Sequence, residues 1–194
     1  LIDLDPTFNS DGELLYLEAE PDNDRPKALF IQPTGKIVAA GSLNSNIYQQ
    51  DFGIVRLTTD GNYDNTFDTD GIAVSDFSGG HYDAAYAGAM LSDGKFYLGG
   101  ASMLDYGIIA KYNANGTFDN AFSANGWLSL SDIQPVDMVV QSNGAIVVVD
   151  NGFSDFFVKR YTSSGAIDNS FDSDGEVMLD FAGTLDWNNV VCLD

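Results

Sequence analysis

Cysteine, histidine and basic side chains are scarce in this chain, and each shortage excludes a class of chemistry. The single cysteine, Cys192, cannot form an intrachain disulfide. Beside Val190 and Val191 it reads as packing rather than as a nucleophile. The single histidine, His81, has no cysteine or second histidine near it and cannot build a zinc site unaided. Eight lysines and arginines face 29 aspartates and glutamates, giving a formal net charge of −21. Nothing here neutralises a run of phosphates, so nucleic acid is excluded as a partner and anionic membrane surfaces are disfavoured. No apolar run approaches the roughly 20 residues that cross a bilayer, so no membrane insertion is expected. No window sustains a 3.6-residue period, so almost no helix is expected.

What is present is repetition. An aromatic-to-glycine pentapeptide occurs as Phe8-Asn9-Ser10-Asp11-Gly12, Phe67-Asp68-Thr69-Asp70-Gly71, Phe122-Ser123-Ala124-Asn125-Gly126 and Phe171-Asp172-Ser173-Asp174-Gly175. The phenylalanines at 8, 67, 122 and 171 stand 59, 55 and 49 residues apart. A period of this length marks a propeller, a solenoid or an array. With 44% hydrophobic residues the chain has enough apolar material to fold despite its charge.

Aligned on the pentapeptide, each unit carries four extended segments. In the first they are Ala28–Gln32, Lys36–Gly41, Asp51–Leu57 and Ile72–Asp76. The second has Tyr86–Leu91, Lys95–Gly99, Tyr106–Tyr112 and Trp127–Leu130, and the third Val136–Gln141, Ala145–Val149, Phe156–Tyr161 and Glu176–Phe181. Turn dipeptides such as Thr34-Gly35, Asp93-Gly94 and Asn143-Gly144 separate the first two segments. Ile54-Val55, Ile108-Ile109 and Val147-Val148-Val149 are apolar on both faces and must be covered on both. Four strands in about 50 residues, covered on both faces, describe a propeller blade. The expected architecture is therefore all-β, an arc of blades of four antiparallel strands. Complete units fall at about 28–76, 84–130 and 136–181 of a single repeat domain, 1–194, with partial blades at 1–18 and 186–194. An outer-type strand near Glu13–Glu18 and an inner-type strand at Asn188–Leu193 cannot pair with each other. The chain is thus expected to be part of a longer array, with a ring closed by dimerisation as the alternative.

The string Asp51-Phe52-Gly53-Ile54-Val55-Arg56-Leu57, followed by Asp60-Gly61, Asp64 and Phe67, resembles the bacterial delta-60 repeat. That resemblance covers nearly the whole chain. It implies β-propeller blades and a secreted or cell-surface setting, and it implies no catalytic residue. The third unit departs from the pattern: Ala145 replaces Lys36 and Lys95, and Asp150 replaces the glycine at 41 and 100.

A basic residue recurs at Arg56, Lys111 and Arg160, and an aspartate at Asp64, Asp119 and Asp168. An internal ion pair in each blade is favoured over an anion-binding ring. Asp68, Asp70, Asp172 and Asp174 invite a calcium reading, but the twelfth loop position falls on Phe77 or Phe181, so a turn explains them better. No cofactor is expected, with calcium the one possibility. His81, Trp127, Trp187 and Tyr48 lie off the repeat pattern and are the ligand or partner candidates; Tyr48 sits in a variable loop, Ser42–Gln50. For Trp127, packing between blades is favoured. A serine–histidine–acid triad through His81 would need a convergence that nothing in the sequence indicates.

The resulting expectation is a non-catalytic structural or interaction repeat of a larger secreted or surface protein, extracellular in location. Its partners would be neighbouring blades or other protein subunits. Carbohydrate binding through glycan stacking is the alternative, and a glycoside hydrolase-like propeller the third.

Overall fold

The computed structural model describes residues 3–14, 24–46, 49–102, 106–151 and 156–179. Among them lie twelve strands and no helix. The first sheet contains β1 (Arg25–Ile31), β2 (Ile37–Asn46), β3 (Gln49–Leu57) and β4 (Ile72–Ser75). The middle sheet contains β5 (Asp83–Met90), β6 (Phe96–Ser102), β7 (Tyr106–Tyr112) and β8 (Trp127–Leu130). The third contains β9 (Asp137–Val140), β10 (Ile146–Asn151), β11 (Phe156–Tyr161) and β12 (Glu176–Leu179). Each sheet pairs its strands in sequence order, all antiparallel. The all-β reading and the four-stranded units hold.

The sheets stack face to face, and alternation along each strand decides which residues meet. Val38, Ala40, Phe52, Ile54 and Ala73 of the first sheet pack on Ala85, Phe96, Leu98, Ile108, Ala110 and Tyr112 of the middle one. The other face of the middle sheet presents Tyr97 and Ile109 to Met138, Ile146, Val148 and Tyr161 of the third. Both faces of the middle sheet are therefore covered, and every residue of β6 is buried.

Two expectations need correction. Ser42–Gln50 is not a loop. β2 runs on to Asn46 and β3 begins at Gln49, paired through Ser42↔Phe52 and Leu43↔Asp51 with a bulge at Asn44/Asn46. Polar side chains masked the strand signal there, although the ladder itself needs only backbone groups. Secondly, Glu13 and Leu14 are not in a strand; residues 15–18 and the expected partial blade at 186–194 lie outside the described residues.

A single glycine sets the length of the inner strand. Bulges at Pro26/Ala28 in β1 and Ala85/Ala87 in β5 lie opposite Gly41 and Gly100. A Cβ at either glycine would stand 2.0 Å from a carbonyl oxygen, of Arg25 or of Ala84. The third sheet has Asp150 at that position, and its inner strand β9 has only four residues, starting at Asp137. There the side chain excludes the close approach that the other two units use.

Neighbouring units are joined by a recurring contact. Three of the four pentapeptide phenylalanines lie on the turn glycine of the next unit: Phe8 on Gly61, Phe67 on Gly116 and Phe122 on Gly165. A Cβ on these glycines would meet the ring at 2.8, 2.7 and 3.1 Å respectively. Phe67 and Phe122 are fully buried. Backbone bonds accompany the contact, from Asn9 N to Asp60 O and from Ser123 N to Ser164 O. Phe171 is the half-buried fourth copy. Replacing Phe67 with alanine is expected to cost about 3–5 kcal/mol, a typical figure for a buried phenylalanine. Phe171→Ala should cost less than half as much. Urea denaturation of both variants measures the difference, and equal costs would show that docking on the glycine contributes little.

Candidate functional site

The most constructed polar feature of the chain is the turn that presents each phenylalanine. In all four copies the phenylalanine N–H donates to the carbonyl of the aspartate three residues earlier, and the closing glycine N–H donates to the phenylalanine carbonyl. The two residues after the phenylalanine adopt positive φ in every copy, for example 41° at Asp68 and 76° at Thr69. Non-glycine residues avoid that region, so the surrounding hydrogen bonds must hold it. The aspartate or asparagine of positions 11, 70, 125 and 174 caps the N–H two residues on, as Asp70 Oδ1 does for Ile72 at 2.9 Å. These caps occupy Asp70 and Asp174 as turn residues. Asp68 and Asp172 are exposed.

Charge is placed beneath this turn. Arg56 Nε donates to Asp64 Oδ2 at 2.8 Å, with the two side chains 6% and 5% exposed. Lys36 reaches the same oxygen at 2.6 Å. The Arg56 guanidinium lies 4.8 Å above the Phe67 ring and donates to Ala114 O in the next unit. The middle unit repeats the scheme with Lys95 at 2.9 Å and Lys111 at 3.3 Å from Asp119 Oδ2. In the third, Arg160 Nε meets Asp168 Oδ2 at 2.8 Å and its guanidinium covers Phe171 at 4.8 Å, with both charged side chains 18% exposed. The six repeat-position residues thus come together in pairs, one pair per unit, spread along the stack rather than gathered in a ring.

Lys36 and Lys95 complete these pairs; their recurrence just after the first turn was the available signal. Burial alone would raise the Asp64 carboxyl. The hydrogen bond from Lys36, those from Thr66 and the Arg56 charge together hold it well below the ordinary carboxylate range. For Asp119 the Lys95 hydrogen bond leads a downward shift against burial, and for Asp168 the Ser170 hydrogen bonds do.

Two of the off-pattern candidates, His81 and Trp127, fall among the described residues. His81 is exposed in the connection after β4. Trp127 is half-buried at the start of β8, its ring 5.3 Å from that of Phe77, so the indole contributes to the interface between the first two sheets. Tyr48 and Trp187 lie outside the described residues. Sequence reasoning missed Asp51, Asp76 and Asp83, whose carboxylates meet across the first sheet junction. Separations of 25 and 7 residues between them follow no motif.

Residues 32–67, 91–122 and 141–171 match the model of a family described as domain of unknown function DUF5122, β-propeller; together they span half of the chain. Each matched segment begins beside the first turn and ends on a pentapeptide phenylalanine. The chain belongs to this family. No curated protein matches it. The DUF5122 segments contain the ion pairs, the turn glycines and the docking phenylalanines, so the family pattern is largely the inter-unit contact itself. Asp76 and Asp83 fall outside it.

Because Asp64 and Asp119 have folded-state pKa values below those of the unfolded chain, their contribution to stability is full well above the unfolded carboxylate pKa of 3.8. It drains as the pH falls through 3.8 toward the depressed values. Asp64→Asn should cost roughly 3 kcal/mol at pH 7, the charge of Arg56 being left buried without its partner. The same substitution should cost clearly less at pH 3. Chemical denaturation at both pH values tests this, and an undiminished gap at pH 3 would refute the electrostatic account.

Proposed function

We propose that this DUF5122 chain is a non-catalytic scaffold, a repeat segment of a larger secreted or cell-surface bacterial protein that docks further units of its own kind. The observation that carries this reading is the use made of the repeated residues. Among the described residues, every recurrent phenylalanine, arginine, lysine and aspartate is committed to a turn or to a contact between units. The likeness of Asp51–Leu57 and its turn to the delta-60 repeat supports the surface setting.

The outer face of the first sheet supports docking. An apolar cavity of about 410 Å³ there is lined by Ile37, Ala39, Gly53, Val55 and Leu57 among others. The corresponding positions of the middle sheet are Phe96, Leu98, Ile108, Ala110 and Tyr112, which the first sheet covers. Leu29 beside the cavity is 70% exposed. A sheet face in this state fits the back of a preceding unit of the same repeat. At the other end Arg160 and Phe171 repeat the stacked pair that, in Arg56 and Phe67, grips the following unit.

Sedimentation velocity over a concentration series tests this, because a second copy can occupy the same face. Self-association that Leu29→Lys removes is the expected outcome. A monomer at every concentration, with Leu29→Lys indistinguishable from it, would remove the docking reading. Turnover of glycoside or ester substrates by the purified chain would overturn the non-catalytic one.

A further inference from the structure

Three carboxylates meet where the first sheet adjoins the middle one. Asp51 lies in β3, Asp76 directly follows β4, and Asp83 opens β5. Each offers one oxygen, and the three oxygens lie within 4.8 Å of one another. Asp51 is 4% exposed and Asp83 0%, while Asp76 is open to solvent. The connection between β4 and β5 folds around them. Asp76 Oδ1 accepts the N–H groups of Ser78 and Gly79, and its Oδ2 accepts that of Gly80. Asp83 Oδ2 accepts Phe77 N at 2.6 Å and Ser78 N at 3.1 Å. Asp83 Oδ1 is buried and accepts no hydrogen bond.

Neutral N–H groups fix Asp76 and Asp83 but do not neutralise them. Lys36 and Arg56 serve Asp64, Lys95 and Lys111 serve Asp119, and Arg160 serves Asp168. The second junction is built differently. Ser131 follows β8 as Asp76 follows β4, and Lys159 stands between Asp132 and Glu176, 2.6 Å from the latter. Like charges that share a buried site need a cation or a proton between them. A hard, all-oxygen donor set selects calcium or magnesium. Calcium takes six to eight oxygens at about 2.3–2.6 Å in a flexible shell that tolerates such a mixed set. Magnesium demands a tighter octahedron and gives up its waters reluctantly.

We propose that Asp51, Asp76 and Asp83 bind one calcium ion, which pins the β4–β5 connection and ties the first unit to the second. Asp51 and Asp83 supply the buried charge, and the open side at Asp76 leaves room for water ligands. The chain carries the ion as a structural element.

The test uses the full 194-residue chain, dialysed against EDTA, with calcium chloride or magnesium chloride added back. Calcium is expected to raise the melting temperature by about 3–6 °C at a concentration ten times its Kd, and magnesium by much less. Calorimetric titration with calcium should return one site. Asp83→Asn should abolish the calcium shift, yet melt in EDTA no lower than the wild type, since it removes a buried charge. Asp76→Asn, on the exposed side, should weaken calcium binding at least tenfold with the fold intact. Asp174→Asn, on the acidic surface elsewhere, should leave the shift unchanged. A wild type with no calcium shift and no calcium heat would overturn the proposal. So would an equal response to magnesium, or a full calcium shift in Asp83→Asn. If Asp83→Asn does not fold, a full shift in Asp76→Asn decides against the site.

Discussion

An aromatic ring lying on a glycine of the next unit is the constraint on which this architecture rests. The contact needs a bare backbone, since a Cβ on Gly116 would stand 2.7 Å from the Phe67 ring. It also needs the ring held at one height, and the polar groups around it do that. Arg56 covers the ring, Asp64 holds Arg56, and the turn after Asp64 fixes where the ring emerges. A sheet of four short strands has little stability alone. Faces that lean on neighbours through such contacts convert several marginal sheets into one stack.

The charges make sense in the same frame. In a chain of net charge −21, buried basic side chains beside aspartate serve to aim a guanidinium rather than to balance the total. Removing one partner leaves the other stranded in low dielectric, and that cost keeps the pair together. The pairs grow more exposed along the stack, from 6% and 5% in Arg56–Asp64 to 18% and 18% in Arg160–Asp168. Coverage by a following unit accounts for the difference: the Arg56 guanidinium donates to Ala114 of that unit.

Much of this was legible in the residues because repetition writes a contact several times. The pentapeptide, the turn glycines and the basic–acidic pairs each recur, and recurrence separates a rule from an accident. The end of β2 was not legible. Ser42 and Asn44 carry no apolar alternation, and their pairing with β3 is a backbone matter. Nor was the meeting of Asp51, Asp76 and Asp83, which depends on how one sheet sits on another. Local pattern reports that a strand exists; it does not report which loop of one sheet lands beside which edge of the next. The Asp150 departure was visible as a letter, but its meaning lay in the 2.0 Å approach that Gly41 and Gly100 permit and a side chain forbids.

The ring-on-glycine contact also has a sense of travel. Each unit gives its phenylalanine forward and receives one from behind, so the front and the back of a unit are unlike surfaces. One such surface cannot pair with its own copy across an isologous interface. Copies joined by this contact must follow head to tail, and the rotation from one unit to the next then decides between a closed circle and an open filament.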